Sequence, residues 1–240
     1  MTPPLSTDVG EWLQETRQLD LSDPKLRITA QKLTQSRQTL AARAAAIQEF
    51  VRRMPFATSA DSHQVRASEV LRLGSGDCHS KGVLFTALCR AAGLPARLLF
   101  VGIRPRFLNG VLDGAPAVVP HAVGQVLLAD GWHSTDGYVV DPVLFAHAKH
   151  MMEDQGVDSG WGTFREARGP WDGSGDCLQQ FQEDDVVSDY GTWNDAAAFH
   201  AGQPSGGRSW ITRLQYALAA RWVNLRVSRV RQRRFPVPLQ

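Results

Sequence analysis

The sequence predicts an α+β fold, in which helices fill the first part of the chain and an antiparallel sheet follows. Apolar residues recur at helical spacing from about Asp23 to Arg53. The segment from Cys78 to Ala92 is apolar almost all round, which is typical of a buried helix. Two β-like runs then flank Asp130-Gly131, a dipeptide that favours a tight hairpin turn. Helices that precede strands, rather than alternate with them, favour α+β over α/β.

The composition is that of a globular protein and limits the expected location and partners. The chain has 240 residues, of which 43% are hydrophobic and 21% are charged. We expect a single domain over residues 1–240, with a core at about 19–150 and an irregular, helical extension at 151–240. The net charge of +2 gives no reason to expect nucleic acid as a partner. Three scattered cysteines, no secretory leader and no membrane span predict a cytoplasmic protein.

Three helices are expected in the N-terminal third of the chain. The first two cover Pro24–Thr34 and Leu40–Arg53, and Asp23 is placed to cap a helix that starts with proline. A short third helix is predicted at Ala67–Leu73.

The fourth predicted helix, Cys78–Ala92, begins with a cysteine. Asp77 is placed to cap its N-terminus, and Gly93 ends it. A helix N-terminus presents unpaired N–H groups and a positive partial charge, which favour a thiolate over a thiol. Cys78 is therefore a candidate nucleophile. Cys89, which lies about three turns further along in the apolar stretch, is interpreted as a core residue.

Beyond this helix the pattern changes to strands and irregular chain. Arg97–Ile103 is typical of a buried strand, and Phe145–Met152 of a short helix. Gln155–Gln203 is rich in Gly, Asp, Ser and Trp, so short helices and ordered turns are expected there. Its tryptophans either line a groove or pin the chain to the core. Trp210–Arg234 indicates an arginine-rich helix, which either packs on its own domain or contacts a partner or an anionic surface.

A nucleophilic cysteine needs a general base and a third group that orients the base. His121 opens the first strand of the hairpin, and Asp136 lies on the return strand. With Asp130-Gly131 as the turn, Gln125 is opposite Asp136, and His121 shares their face at an offset of about four residues. A bulge, a strong twist or a wider turn is then needed to join the pair. Asp141 is closer to His121 along the strand but on the opposite face, so spacing favours Asp136 only modestly.

Histidines near Cys78 raise the alternative of a metal site. His79 adjoins the cysteine, and His63, His121 or His133 could complete a ligand set. Adjacent Cys-His is not the usual ligand spacing, and no second cysteine is near in sequence. We therefore predict no metal and no cofactor.

Two motifs resemble one known family. The segment GDCHSKGVLFTALCRAAGLPARLLFVGI, residues 76–103, resembles the cysteine segment of the transglutaminase-like superfamily, in which Gly-x-Cys opens a helix that ends in a stretch like Arg90–Arg97. HAVGQVLLADGWHSTD, residues 121–136, is similar to the second motif, in which a histidine opens a strand and Trp-x-x-x-Asp closes a hairpin. With its helical lead-in, the resemblance covers about Leu19 to Pro142.

The resemblance implies a papain-like, transglutaminase-like core: N-terminal helices and a Cys-bearing helix packed on an antiparallel sheet, with an extra C-terminal helix. It implies Cys78 as nucleophile, His121 as base and Asp136 as orienting acid. The sequence departs from the family pattern in two places. His-x-Trp-x-Glu is replaced by His-Ala-Val-Gly-Gln at residues 121–125, which lacks the Trp and the Glu, and Gly137 stands where proline often follows the aspartate.

The activity implied is thiol-dependent acyl transfer or hydrolysis of an amide bond in a peptide or protein, of transglutaminase or cysteine-peptidase type. The expected partner is therefore a peptide or protein substrate. The alternative is a non-catalytic module that keeps the fold and binds a protein or peptide.

Overall fold

Four helices precede the first strand, as the apolar spacing predicts. The computed structural model describes residues 9–112, 114–203 and 210–233, with the backbone alone for 210–216. The helices are α1 (Pro24–Thr34), α2 (Leu40–Arg52), α3 (Ala67–Leu73) and α4 (Cys78–Ala91). Asp23 caps α1 by accepting from the N–H groups of Lys25 and Leu26. The predicted bounds are therefore confirmed to within a residue.

One antiparallel sheet of four strands supports α4. Its strands lie in the order β3-β2-β1-β6, and their ranges are β1 (Ala96–Ile103), β2 (Val119–Leu128), β3 (Gly131–Thr135) and β6 (Val186–Trp193). A separate two-stranded ribbon joins β4 (Ser159–Gly160) to β5 (Thr163–Phe164). The α+β prediction is thus confirmed.

The main core lies between α4 and the sheet. Phe85 and Leu88 of α4 are fully buried there, together with Leu98 and Phe100 of β1. Burying each large apolar side chain contributes about 1.5–3 kcal/mol to folding. Arg90, near the end of α4, donates from Nε to the Ala96 carbonyl at 2.8 Å, which ties the helix to the start of β1.

The second half of the chain is more regular than its composition predicts. Helix α5 (Pro142–Gln155) is longer than the predicted Phe145–Met152, because Asp141 caps it and proline occupies its first position. The short helix α6 (Ala196–Ala201) agrees with the short helices expected there, but the prediction missed β6. The tryptophans pin this chain to the core: Trp161 and Trp171 are buried, and Trp193 packs against Phe199.

The arginine-rich helix α7 (Trp210–Gln232) packs on α5. Val223, Val227 and Val230 are buried in the cluster that includes α5 residues. The Arg231 guanidinium pairs with the buried Asp141 carboxylate and donates to the Phe56 carbonyl at 3.0 Å. The predicted end of this helix at Arg234 lies outside the described residues. Within the described part of the chain, no helix is both long and apolar enough to cross a membrane.

Candidate active site

The thiol of Cys78 sits at the first position of α4, where the chain leaves a glycine-rich loop. Asp77 accepts from the N–H groups of His79 and Ser80, and the Ser80 hydroxyl accepts from the Asp77 N–H. This reciprocal capping fixes the start of the helix, and with it the position of the cysteine. Thr58 donates to the other Asp77 oxygen at 2.8 Å. Cys78 as a residue remains partly exposed.

His121 lies on β2 and is held between the sheet and two aromatic rings. Its imidazole is buried, with the Phe181 ring at 5.4 Å and the Phe107 ring at 6.2 Å between centroids. Nε2 donates to Oδ2 of Asp136 at 2.9 Å. Nδ1 is then the ring nitrogen left for Cys78, and the charges of the two side chains shift each other's pKa. The structure therefore brings the three candidate residues together.

The hairpin register differs from the predicted one, and the difference closes the gap between His121 and Asp136. Leu128 pairs with Gly131 and Gln125 with Ser134, so the turn is Ala129-Asp130 rather than Asp130-Gly131. The prediction that Gln125 faces Asp136 was wrong. The ladder ends at Thr135, and Asp136 leaves the strand where its carboxylate reaches His121 directly. A shift of two residues thus replaces the bulge that the other register required.

A distant segment that the sequence prediction missed holds the Asp136 carboxylate. The backbone N–H of Gln179 donates to Oδ1 at 2.6 Å, and that of Gln180 donates to Oδ2 at 3.3 Å. The Asp136 N–H donates in turn to the Cys177 carbonyl at 3.1 Å. We call Cys177–Gln180 the strap. Its one sequence signal is the repeat of Gly-Ser-Gly-Asp-Cys that leads into it.

The acid alternative, Asp141, is used elsewhere. Its carboxylate accepts from the N–H groups of Phe56 and Leu144 and pairs with Arg231. These bonds belong to the cap of α5 and the attachment of α7. The choice between the two aspartates as partner of His121 therefore falls on Asp136.

Electrostatics favour an ion pair between Cys78 and His121. Burial by itself raises the pKa of the Cys78 thiol, but the neighbouring His79 and His121 lower that pKa to about 6. Burial by itself lowers the pKa of His121, but its hydrogen bonds to Asp136 and Cys78 raise that pKa to about 10. Between these two values the sulfur is anionic and the imidazole is cationic.

The other two cysteines lack these surroundings. Burial raises the pKa of Cys89, which is fully buried in α4, as predicted for a core residue. Burial and the Asp136 charge raise the pKa of Cys177 to about 11. Both thiols are therefore protonated at neutral pH.

Lys81, one turn after Cys78, links the cysteine helix to the chain beyond Asp136. Its side chain is fully buried, and Nζ donates to the carbonyls of Tyr138 and Val139 at 2.8 and 2.9 Å. Burial lowers the pKa of this amine to about 7. The bonds fix the distance between α4 and the loop that carries the carboxylate.

Two glycines near the site, Gly124 and Gly137, have steric reasons. A Cβ at Gly124 would lie 2.6 Å from the Phe85 ring, so this glycine admits α4 onto the sheet. A Cβ at Gly137 would lie 2.8 Å from the sulfur of Cys177, so this glycine admits the strap. Gln125 accepts a hydrogen bond from Nε of Arg97 at 2.8 Å and braces the sheet outside the site.

Among the described residues, no group of three or more His, Cys, Asp or Glu side chains is arranged to hold an ion. His133, interpreted from the sequence as a surface strand residue, is instead mostly buried and pairs with Asp130 at 2.7 Å.

The family comparison covers the segment that contains both motifs. The model of the Transglutaminase-like superfamily matches residues 27–137, from α1 to the residue after Asp136. This part of the chain is similar to the transglutaminase-like superfamily. The strap lies outside the matched residues, so chain beyond the match supplies the N–H donors that hold the Asp136 carboxylate.

One solved structure shares this fold at low sequence identity. A proposed cysteine protease from Cytophaga hutchinsonii gives a TM-score of 0.51 at 17% identity, over 82% of this chain and 52% of that chain. A proposed protease from Parabacteroides distasonis gives a TM-score of 0.37 at 16% identity, over 52% of this chain and 24% of that chain. The chain spans about half the length of the Cytophaga protein. No curated protein matches it.

Proposed function

We propose that this chain is a thiol-dependent enzyme that hydrolyses an amide bond in a peptide or protein or transfers its acyl group to an amine. Cys78 is the nucleophile, His121 the general base and Asp136 the acid that orients the base. The observation that carries the proposal is the buried His121–Asp136 hydrogen bond at 2.9 Å beside the partly exposed Cys78, whose pKa the imidazole lowers. The fold shared with a proposed cysteine protease is consistent with it.

In the first half-reaction the Cys78 thiolate attacks the amide carbonyl carbon and forms the C–S bond. The Cys78 backbone N–H, at the positive end of α4, is placed to stabilise the developing oxyanion. The C–N bond then breaks, and the His121 imidazolium gives its proton to the departing nitrogen. The products are a thioester on Cys78 and a free amine or ammonia.

In the second half-reaction His121, now neutral, takes a proton from the acceptor as the acceptor attacks the thioester. Water gives a carboxylic acid, and an amine such as a lysine side chain gives a new amide. In both cases the thiolate leaves and the ion pair is restored. Asp136 keeps the imidazole in one tautomer and one orientation through both steps.

The direct test is a screen of glutaminyl peptides with an amine probe beside a panel of peptidase substrates. We expect turnover in one panel, and a thioester or probe adduct on the peptide that contains Cys78 when acyl-enzyme is trapped. Cys78→Ala is the negative control, and Cys89→Ala is the matched cysteine control. Absence of turnover in both panels, together with a Cys78 thiol no more reactive than Cys89, would overturn the proposal in favour of a binding module.

A further inference from the structure

A second imidazole contacts the sulfur of Cys78. Nδ1 of His79, the next residue in the chain, lies 3.4 Å from Sγ. This is within hydrogen-bond range for sulfur, and the contact is on the same sulfur that faces His121. In the mechanism above His121 is the base and Asp136 orients it, so His79 has no assigned role.

The imidazole of His79 is held in place by other rings. Its centroid is 5.6 Å from that of Phe100 on β1 and 5.2 Å from that of His200 on α6. The His200 ring in turn lies 4.4 Å from that of His63. A side chain packed in this way is preorganised, because its ring does not have to be ordered when the sulfur becomes charged.

The two ring nitrogens of His79 differ in a way that assigns its proton. Nε2 is buried and has no hydrogen-bond partner within the described part of the chain. Placing the only N–H of a neutral imidazole on such an atom would leave a buried donor unsatisfied, at a cost of about 1–3 kcal/mol. The favoured neutral tautomer therefore carries its N–H on Nδ1, which is the nitrogen that faces sulfur.

We propose that His79 is a second catalytic imidazole, which donates an Nδ1–H hydrogen bond to the Cys78 thiolate and so stabilises the anion that His121 creates. The proposal rests on the proposed function only in that both concern the same thiol. The two histidines have different tasks. His121, backed by Asp136, exchanges the proton, whereas His79 has no carboxylate bonded to its ring within the described residues and remains a donor to sulfur.

Several charged groups act on this imidazole. Burial by itself lowers the pKa of His79, the Cys78 thiolate and Asp77 raise it, and the cationic His121 lowers it, with a net rise. His200 and His63 face the same ring cluster from α6 and from the loop before α3. The largest favourable partner is the thiolate itself, so the contact is strongest when the sulfur is charged. Thioester formation removes that charge and weakens the contact.

The pH dependence of Cys78 alkylation tests the proposal without a substrate. Iodoacetamide rates at the Cys78 peptide, followed by mass spectrometry from about pH 4 to about pH 10, give the thiol pKa, expected near 6 in the unchanged chain. His79→Phe keeps a ring beside Phe100 and His200 but removes the donor. We expect the thiol pKa to rise by about one unit, so that about tenfold less thiolate is present at low pH.

His200→Phe is the matched control, since it removes an imidazole from the same ring cluster without touching the sulfur. We expect its profile to follow that of the unchanged chain. A His79→Phe profile that also follows it overturns the proposal, as does an equal shift in both variants, which would indicate packing. If His79→Phe lacks a native melting transition, His79→Gln is judged by the same criterion. Failure of amide turnover in the unchanged chain would count against the proposed function but would leave this pKa comparison intact.

Discussion

The pentapeptide Gly-Ser-Gly-Asp-Cys occurs twice in this chain, at residues 74–78 and 173–177, and the two copies differ in structure and chemistry. The first leads into a helix, and its Cys78 thiol has a pKa lowered to about 6 by neighbouring histidines. The second runs into extended chain beside β3, and burial raises the pKa of its Cys177 thiol to about 11.

The residues that follow each copy explain the difference. Ser80 completes a capping box with Asp77, so the first copy starts a helix. Leu178 and Gln179 offer no such box, and Asp176 instead accepts a hydrogen bond from the Ser134 N–H at 2.8 Å. The comparison teaches that a cysteine motif becomes reactive through its cap and its neighbours, and that the five residues themselves are insufficient.

The largest expected difference between the copies is in turnover. Cys78→Ser removes the nucleophile, so activity on any substrate found in the screen should fall by at least about 10³-fold. Cys177→Ala, measured in the same assay, should change the rate by no more than a few fold, because this sulfur faces Gly137 and the core. Equal losses in the two variants would contradict the assignment of the nucleophile.

The second copy still matters to activity, through the carboxylate that its strap holds. Asp136→Asn should lower kcat/KM by about 10²–10³-fold, because the imidazolium loses its anionic partner. The pH profile should change as well. For the unchanged chain we expect a bell-shaped plot of activity against pH. Its acidic limb should lie near the pKa of Cys78, about 6, and its alkaline limb near the pKa of His121, about 10.

Removing the Asp136 charge takes away a cause that raises the pKa of His121, so the alkaline limb should move down from about 10. Asp130→Asn is the matched control, because it breaks another Asp–His pair on the same hairpin, that with His133. An alkaline limb that stays in place in Asp136→Asn would show that this carboxylate does not support the base.

Alkylation rates compare the two cysteines directly. At pH 7 a thiol of pKa about 6 is mostly ionised, whereas one of pKa about 11 is ionised to about one part in 10⁴. Thiolate nucleophilicity falls with pKa, which offsets part of this gap, so Cys78 should react at least about 50-fold faster than Cys177. Iodoacetamide labelling of the native chain, measured separately for the two peptides, checks this ratio. Comparable alkylation rates for Cys78 and Cys177 would contradict the difference in pKa between the two thiols.

The smallest expected effect concerns the two aspartates. Asp77→Ala removes a helix cap and the partner of Thr58, and should lower the free energy of unfolding by about 1–2 kcal/mol. Asp176→Ala removes one exposed acceptor and should change it by no more than about 0.5 kcal/mol. Urea denaturation of the two variants measures the difference, and equal losses would show that the cap does not distinguish the copies.

Local signals were sufficient to predict the helices and to place Cys78 at the start of α4. Asp23, Asp77 and the apolar spacing between them determine where α1 and α4 begin, because capping and helix periodicity act within a few residues. The two family motifs added His121 and Asp136, which spacing alone left ambiguous.

Features that depend on pairing between distant residues could not be predicted in this way. The hairpin turn was displaced by one residue, because its register follows from burial on the sheet rather than from the Asp-Gly dipeptide. Strand β6 pairs with β1 from far along the chain, as between Ile103 and Val186. The contact of His79 with Cys78 was missed for a related reason, since it depends on packing against Phe100 and His200.

The position of the strap in the chain determines when the site is completed during synthesis. Gln179 follows Asp136 by 43 residues, so a ribosome finishes Cys78, His121 and Asp136 before it makes the donors that hold the carboxylate. Before the strap is made, the Asp136 carboxylate lacks the two N–H donors of Gln179 and Gln180, so its orientation beside the imidazole is held less firmly. We therefore expect the site to reach its final geometry only after Gln180 has been synthesised.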